Sequence, residues 1–165
     1  MPVPGHVGSD YERLRPEFKV VEDPYEPRRR VMLVPAVRCD VALVHALLAT
    51  GDGMLLLDPA EDDVLLAQAS RVVIASAERL VTRDELLQRA GEGAVLPAIH
   101  VTGVVAAPLG GHPTRVRGAY DVDERHLRDY VAAAGDDRRF KDYLARYVFG
   151  PRSHDDYLAL IRGRA

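Results

Sequence analysis

The feature that most constrains this chain is a series of short, uninterrupted apolar runs. They are VMLVPA (31–36), DVALVHALLA (40–49), MLLLD (54–58), RVVIASAE (71–78) and AIHVTGVVAAP (98–108), bounded by Pro, Asp or Gly. Continuous runs of this kind fit strands buried on both faces, as in parallel sheets, better than alternating half-exposed strands. Helical segments lie between them. DDVLLAQA (62–69) carries acids in its first turn, where the helix dipole is positive. TRDELLQRA opens at Thr82 with Glu85 three residues on, the pattern of a capping box, and sets Leu86-Leu87 on the buried side before Gly91 and Gly93 close it. GDG (51–53) reads as a hairpin-like turn. Strand–helix–strand–helix–strand is the order of an α/β fold, an open parallel-type sheet with covering helices. After the turn-rich PLGGHPTRVRGAY (108–120), the C-terminus reads as helical. Asp123 caps ERHLRDYVAAA, Asp136 or Asp137 leads RRFKDYLARYVF, and Ser153 caps HDDYLALIRG. Tyr130, Phe140, Tyr143, Tyr147, Phe149 and Tyr157 in these segments are read as packing residues.

Residues 1–30 differ. Pro2, Pro4, Pro16, Pro24 and Pro27 fall there with Gly5, Gly8 and the basic run Arg28-Arg29-Arg30. Proline at this density removes backbone donors and favours extended geometry, which excludes long helices. The expectation is an extended arm over 1–30, with Phe18, Val20, Val21 and Tyr25 seeking burial, followed by an α/β domain over 31–165.

Composition narrows the function. With 22 Lys+Arg against 25 Asp+Glu, the net charge is −3, so no excess of cations exists to displace phosphate counterions, and no nucleic-acid partner is expected. No apolar run approaches the roughly 20 residues of a membrane helix, and MPVPGHVGSDYERLRPEF has no signal-peptide core. A cytoplasmic protein without membrane association is expected. Cys39, the single cysteine, makes neither an internal disulfide nor a thiolate zinc site. Histidines 6, 45, 100, 112, 126 and 154 are scattered without HxxxH or HExxH spacing, so no metal is expected. Nucleotide-binding glycine loops and the G-x-S-x-G elbow are also missing.

Position supplies the candidates that motifs do not. Residues just past the carboxyl ends of parallel strands line the ligand crevice, and His45, Glu78 and the turn Gly110-Gly111-His112-Pro113 stand near such ends. Glu78 is the best carboxylate for acid, base or nucleophile work. Each candidate has a structural counterpart that the residues alone leave open. Glu78 also reads as a partner of backbone donors or Arg79, His112 as a turn residue, and His45 as a core histidine.

Seven segments in order, GSDY (8–11), DPYEP (23–27), VPAVRCDVALVHALLA (34–49), AQASRVVIASAERLV (67–81), LPAIHVTGVVAAPLGGHPT (96–114), GAYDVDERHLRDY (118–130) and HDDYLALI (154–161), carry a family likeness over nearly the whole chain. They resemble the second half of the alpha subunit of family I CoA-transferases, of the glutaconate CoA-transferase type. The resemblance implies a CoA-transferase-like sheet, coenzyme A as the substrate thioester, and a hetero-oligomer with a beta-like partner subunit. In that family the glutamate that attacks the thioester belongs to the beta subunit, and an acyl-glutamyl anhydride gives way to an enzyme–CoA thioester. In that family an N-terminal alpha half carries a glycine-rich segment near the thioester, and one reading is that this half is a separate chain. The family's A-D-x-x-G-N appears here as Ala49-Thr50-Gly51-Asp52-Gly53-Met54, so Thr50 and Met54 replace the Asp and the Asn, and Met offers no amide. On this basis His45, Glu78 and His112 are the candidate catalytic residues, bordering the crevice without being the principal nucleophile. Arg28, Arg29 and Gly111 are the candidate CoA contacts, the arginines meeting phosphates. The alternatives are a subunit of a CoA-thioester hydrolase or ring-cleaving enzyme, and an inactive scaffold.

Overall fold

The computed structural model describes residues 2–3 and 5–163; Pro4 of the expected arm lies outside them. The chain divides into two compact units, one up to Arg38 and one from Cys39 onward. In the first, strands β1 (Pro2–Val3), β2 (Lys19–Glu22) and β3 (Arg30–Leu33) form an antiparallel sheet in the order β1-β3-β2, with a single helical turn α1 (Tyr11–Leu14). The expected extended arm is therefore a small folded unit that takes in the VMLVPA run, and the division falls after Arg38 where the sequence reading put it after residue 30. Proline excluded long helices, but pairing of Val20 and Val21 with Met32 and Val31 satisfies the backbone and buries Val31 and Met32.

The second unit holds a five-stranded mixed sheet, β7-β5-β4-β6-β8. Its strands are β4 (Cys39–Thr50), β5 (Leu55–Leu57), β6 (Ser70–Val81), β7 (Ala94–Leu96) and β8 (Gly103–Ala106). β4, β6 and β8 run parallel, while β5 and β7 add antiparallel strands at one edge. The turn at 51–53 makes the β4–β5 hairpin, and Thr50 closes it. Its hydroxyl accepts from the Met54 N–H at 2.9 Å and donates to the Asp52 carboxylate. Helices α2 (Asp63–Gln68) and α3 (Arg83–Gln88) pack on the sheet. Thr82 caps α3 by accepting from the Glu85 N–H, but the Glu85 side chain pairs with Arg79, so only half of the expected capping box forms. Two differences concern strands. AVL (94–96), absent from the sequence reading, pairs with β5, and the 98–108 run starts as a helical turn at Ala98–His100 and extends only from Gly103.

The core follows one face of the parallel strands: Ala42, Val44 and Ala46 on β4 with Val73, Ala75 and Ala77 on β6, packed with Ala67 of α2. A second cluster joins Leu48, Met54 and Leu56 to Leu86 of α3. The expectation of burial on both faces holds at the end of β4, where Leu48, Ala49 and Thr50 are all buried, and along β5, where Leu55, Leu56 and Leu57 are. Earlier in the strands the opposite face presents Val41, Leu43, Ile74 and Val105, which are 55%, 75%, 40% and 56% exposed. The apolar runs are continuous because both faces are apolar; in this chain, one of them is covered.

Helices α4 (Glu124–Ala134), α5 (Asp137–Tyr147) and α6 (His154–Arg162) end the chain. Asp123, Asp136 and Ser153 cap them by accepting from the His126, Arg139 and Asp156 N–H groups. The aromatic residues pack as read except Phe149, which is 75% exposed. Tyr130 meets Phe140 and Tyr143 edge-on, and Tyr143 lies against Tyr147. Among the described residues no helix is long and apolar enough to cross a membrane.

Candidate active site

Register builds the site. His45 stands opposite Ser76 in the parallel β4–β6 pair, and Glu78, two residues on, shares that face because side chains alternate along a strand. His45 Nε2–H donates to Glu78 Oε1 at 2.7 Å, and the ring's other nitrogen, Nδ1, lies 2.7 Å from Ser76 Oγ. Glu78 is 9% exposed, yet fully partnered. The Tyr120 hydroxyl donates to Oε1 at 2.8 Å and the Leu109 N–H to Oε2 at 2.7 Å. Tyr120 in turn accepts from the Gly111 N–H at 2.9 Å. Burial first, and then the hydrogen bond to Glu78, raise the Tyr120 phenol far above its ordinary range, so it stays neutral and donates.

The turn after β8 comes close enough to need glycine. A Cβ on Gly110 would lie 2.7 Å from the His45 ring, and one on Gly111 would lie 2.6 Å from Val116 Cγ2 and 3.1 Å from the Tyr120 hydroxyl. Beside it opens a cleft of about 200 Å³ lined by His45, Gly111, Asp58, Glu61, Asp63, Arg115 and Arg117 among others. Burial, together with the carboxylates of Glu61, Asp58 and Asp62, pushes Asp63 up, and Arg117 lies 3.5 Å from Asp58. On its other side His45 borders a hollow of about 330 Å³ with Leu43, Ile74, Ser76 and Val105.

The structure thus brings His45, Glu78 and Gly111 together. It turns the His112 side chain elsewhere. His112 Nε2–H donates to Asp123 Oδ2 at 3.2 Å, Nδ1 accepts from the Tyr157 hydroxyl at 2.7 Å, and the ring meets His126 edge-on. His126, 1% exposed, bonds Tyr143 through Nε2. Ligand atoms of His112, Asp123 and His126 lie within 4.8 Å of one another, the one such set among the described residues. They are the residues that could hold a metal, but both His112 nitrogens and His126 Nε2 already have protein partners, and the group ties the turn to α4, α5 and α6. Arg28 and Arg29 belong to the first unit, where Arg29 pairs with Glu26 at 2.9 Å.

Sequence reasoning missed Ser76 and Tyr120. Ser76 reads as a spacer between alanines, and Tyr120 lies in a turn-rich segment; only the register of β4 against β6 and the fold of 108–120 bring them to His45 and Glu78.

Asp123 joins cap to network. The His126 N–H, and then the hydrogen bond from His112, hold its carboxyl below the usual range. Its contribution is therefore complete above the unfolded-state value of about 3.9 and is lost as pH falls through the lower folded value. Asp123→Ala is expected to cost about 1–2 kcal/mol at pH 7. Urea midpoints of the two proteins should converge below about pH 3; an undiminished gap there would show that the cap, not the charge, dominates.

No family model matches the chain. It is 32% identical over 143 residues to the alpha subunit of glutaconate CoA-transferase from Acidaminococcus fermentans, covering 86% of this chain and 44% of that protein. To the cholesterol ring-cleaving hydrolase IpdA subunit of Rhodococcus jostii it is 32% identical over 171 aligned positions, 98% of this chain and 57% of that relative. The crystal structure of glutaconate coenzyme A-transferase from Acidaminococcus fermentans superposes with a TM-score of 0.82 at 28% identity, over 96% of this chain and 55% of that one. The chain spans about half the length of these relatives. Over that half, it is a homologue of the alpha subunit of CoA-transferases, with the CoA-transferase α/β fold.

Proposed function

We propose that this chain serves as a subunit of a cytoplasmic CoA-transferase-like enzyme, acting on an acyl-CoA thioester or carboxylic acid together with a beta-like partner subunit. The observation that carries this reading is the His45–Glu78–Tyr120 constellation, set within β4 and β6 rather than at their carboxyl ends as the sequence reading placed it, beside a polar cleft, on a fold shared with the CoA-transferase alpha subunit. Glu78 is not the attacking carboxylate. Both its oxygens are held by donors, and a nucleophile so engaged would first have to break those bonds. Its role is to orient His45 and Tyr120 at the crevice, while the partner subunit supplies the carboxylate that takes the acyl group. The exposed apolar face of β4, β6 and β8 supports assembly, since parallel sheets are ordinarily covered on both sides. Gly111 borders the CoA path, and Arg28 and Arg29 meet CoA phosphates, for which Arg29 must release Glu26. A hydrolytic variant of the same chemistry is the second reading, favoured by the likeness to a relative named a ring-cleaving hydrolase.

Isolated from its own cells with its associated chains, the protein is expected to carry a beta-like subunit. About 1 mM CoA should raise its melting temperature by about 5 °C or more, as saturating ligand does at about a hundredfold excess over Kd. A chain that purifies alone and melts at the same temperature with and without CoA would leave only the scaffold reading.

A further inference from the structure

We propose that Ser76, His45 and Glu78 form a nucleophile–base–carboxylate relay that gives this chain an acyl-transfer activity of its own toward thioesters and esters of apolar acyl groups. The partner's carboxylate plays no part in it, so the inference stands apart from the transferase reading.

Hydrogen-bond logic assigns the protons. Glu78 accepts from the Leu109 N–H and the Tyr120 O–H as well as from His45. A carboxylate surrounded by donors leaves His45 Nε2 only the donor role, so in the neutral imidazole Nδ1 carries the lone pair. Ser76 Oγ, 2.7 Å from Nδ1, is then the donor of that bond. A hydroxyl donating to an imidazole whose far nitrogen donates to a buried carboxylate is the arrangement that activates a serine. The three residues stand on two directly paired strands, which hold them more firmly than a loop would. Tyr120 stays neutral and adds a second donor to the carboxylate.

The surroundings indicate the substrate. Ser76 and His45 border a hollow of about 330 Å³ whose other side chains, Leu43, Ile74 and Val105, are apolar. Such walls suit an aliphatic acyl chain. In the reaction, Ser76 Oγ attacks the thioester carbonyl as its proton passes to His45 Nδ1. The tetrahedral intermediate breaks its C–S bond, and the departing thiolate takes the proton from Nδ1, leaving an ester on Ser76. Water then attacks that ester, giving its proton to Nδ1, and the C–O bond breaks as Ser76 Oγ recovers the proton. Thioester and water become acid and thiol, with His45 restored.

Alkyl fluorophosphonate, which esterifies activated serines irreversibly, tests this on the full chain. Intact-mass and peptide analysis should find one adduct, on Ser76, and none in Ser76→Ala, whose folding is checked by circular dichroism. The labelling rate should fall about 100-fold or more in His45→Gln, the scale of a lost general base. Glu78 is a positioning residue here, and Glu78→Gln should slow labelling while Glu78→Asp, which restores a carboxylate acceptor for the His45 Nε2–H, should recover part of the rate, a rescue that mere loosening would not give. Folded wild-type protein that takes no label, labels at another residue, or labels equally fast without His45 would overturn the proposal. CoA-induced stabilisation of the assembled complex would survive that failure, and its loss would not affect Ser76 labelling.

Discussion

Glu78→Ala is expected to destabilise the second unit by about 3 kcal/mol or more, since one buried polar group left without its partner costs about 1–3 kcal/mol and this substitution leaves three. The substitution strips the acceptor from the His45 Nε2–H, the Tyr120 O–H and the Leu109 N–H at once. Those donors lie on β4 and at the two ends of the 108–120 turn, so the loss reaches both the sheet and the turn. Glu78→Gln separates charge from shape. Its carbonyl oxygen keeps one acceptor, but its NH₂ faces a donor, and a cost of about 1–3 kcal/mol follows from that mismatch. Urea unfolding at constant m should rank wild type above Gln and Gln above Ala. Equal midpoints for the two variants would mean that negative charge, not the count of acceptors, keeps the three donors in place. Midpoints within error of wild type would mean that water satisfies these groups.

The same residues show what could be read before the fold was known. Glu78 and His45 were legible as titratable residues in or beside apolar strand runs, but the expectation that they stand near strand ends fails, since β4 continues to Thr50 and β6 to Val81. Their pairing was not legible, since it depends on β4 lying beside β6 with His45 opposite Ser76, a register fixed by tertiary contacts rather than by either strand alone. His112 was chosen on the same positional ground, yet its ring turns away because Asp123 and Tyr157, 11 and 45 residues further on, capture both nitrogens. Helix caps at Asp123 and Ser153 read correctly, and the choice between Asp136 and Asp137 falls to Asp136, because a cap is a local interaction. The short strand Ala94–Leu96 did not, for its backbone is extended only through pairing with β5. The first unit shows the same limit. Its prolines forbid long helices, but nothing within Lys19–Glu22 specifies Arg30–Leu33 as its neighbour.

Gly110→Ala is expected to disrupt the site out of proportion to the single methyl it adds. The new Cβ would lie 2.7 Å from the Ala107 carbonyl oxygen and 2.7 and 3.0 Å from His45 Cε1 and Nδ1, inside any normal contact distance. Neither neighbour yields easily. The Ala107 oxygen accepts the Gly110 N–H at 2.9 Å and so defines the turn, while the His45 ring is pinned through both nitrogens. Either the turn opens, and carries the Leu109 N–H away from Glu78, or the imidazole swings off Ser76. Overpacking of this kind costs about 1–3 kcal/mol. The two routes are distinguishable by heteronuclear NMR, since the second shifts the His45 ring resonances and the first shifts the Leu109 amide. Gly91→Ala is the control, because a Cβ there meets nothing within 4 Å and should leave stability within about 0.5 kcal/mol of wild type. If the two alanine variants unfold at the same urea concentration and the His45 and Leu109 signals stay put, the turn does not press on His45, and the glycine pair has no part in shaping the site.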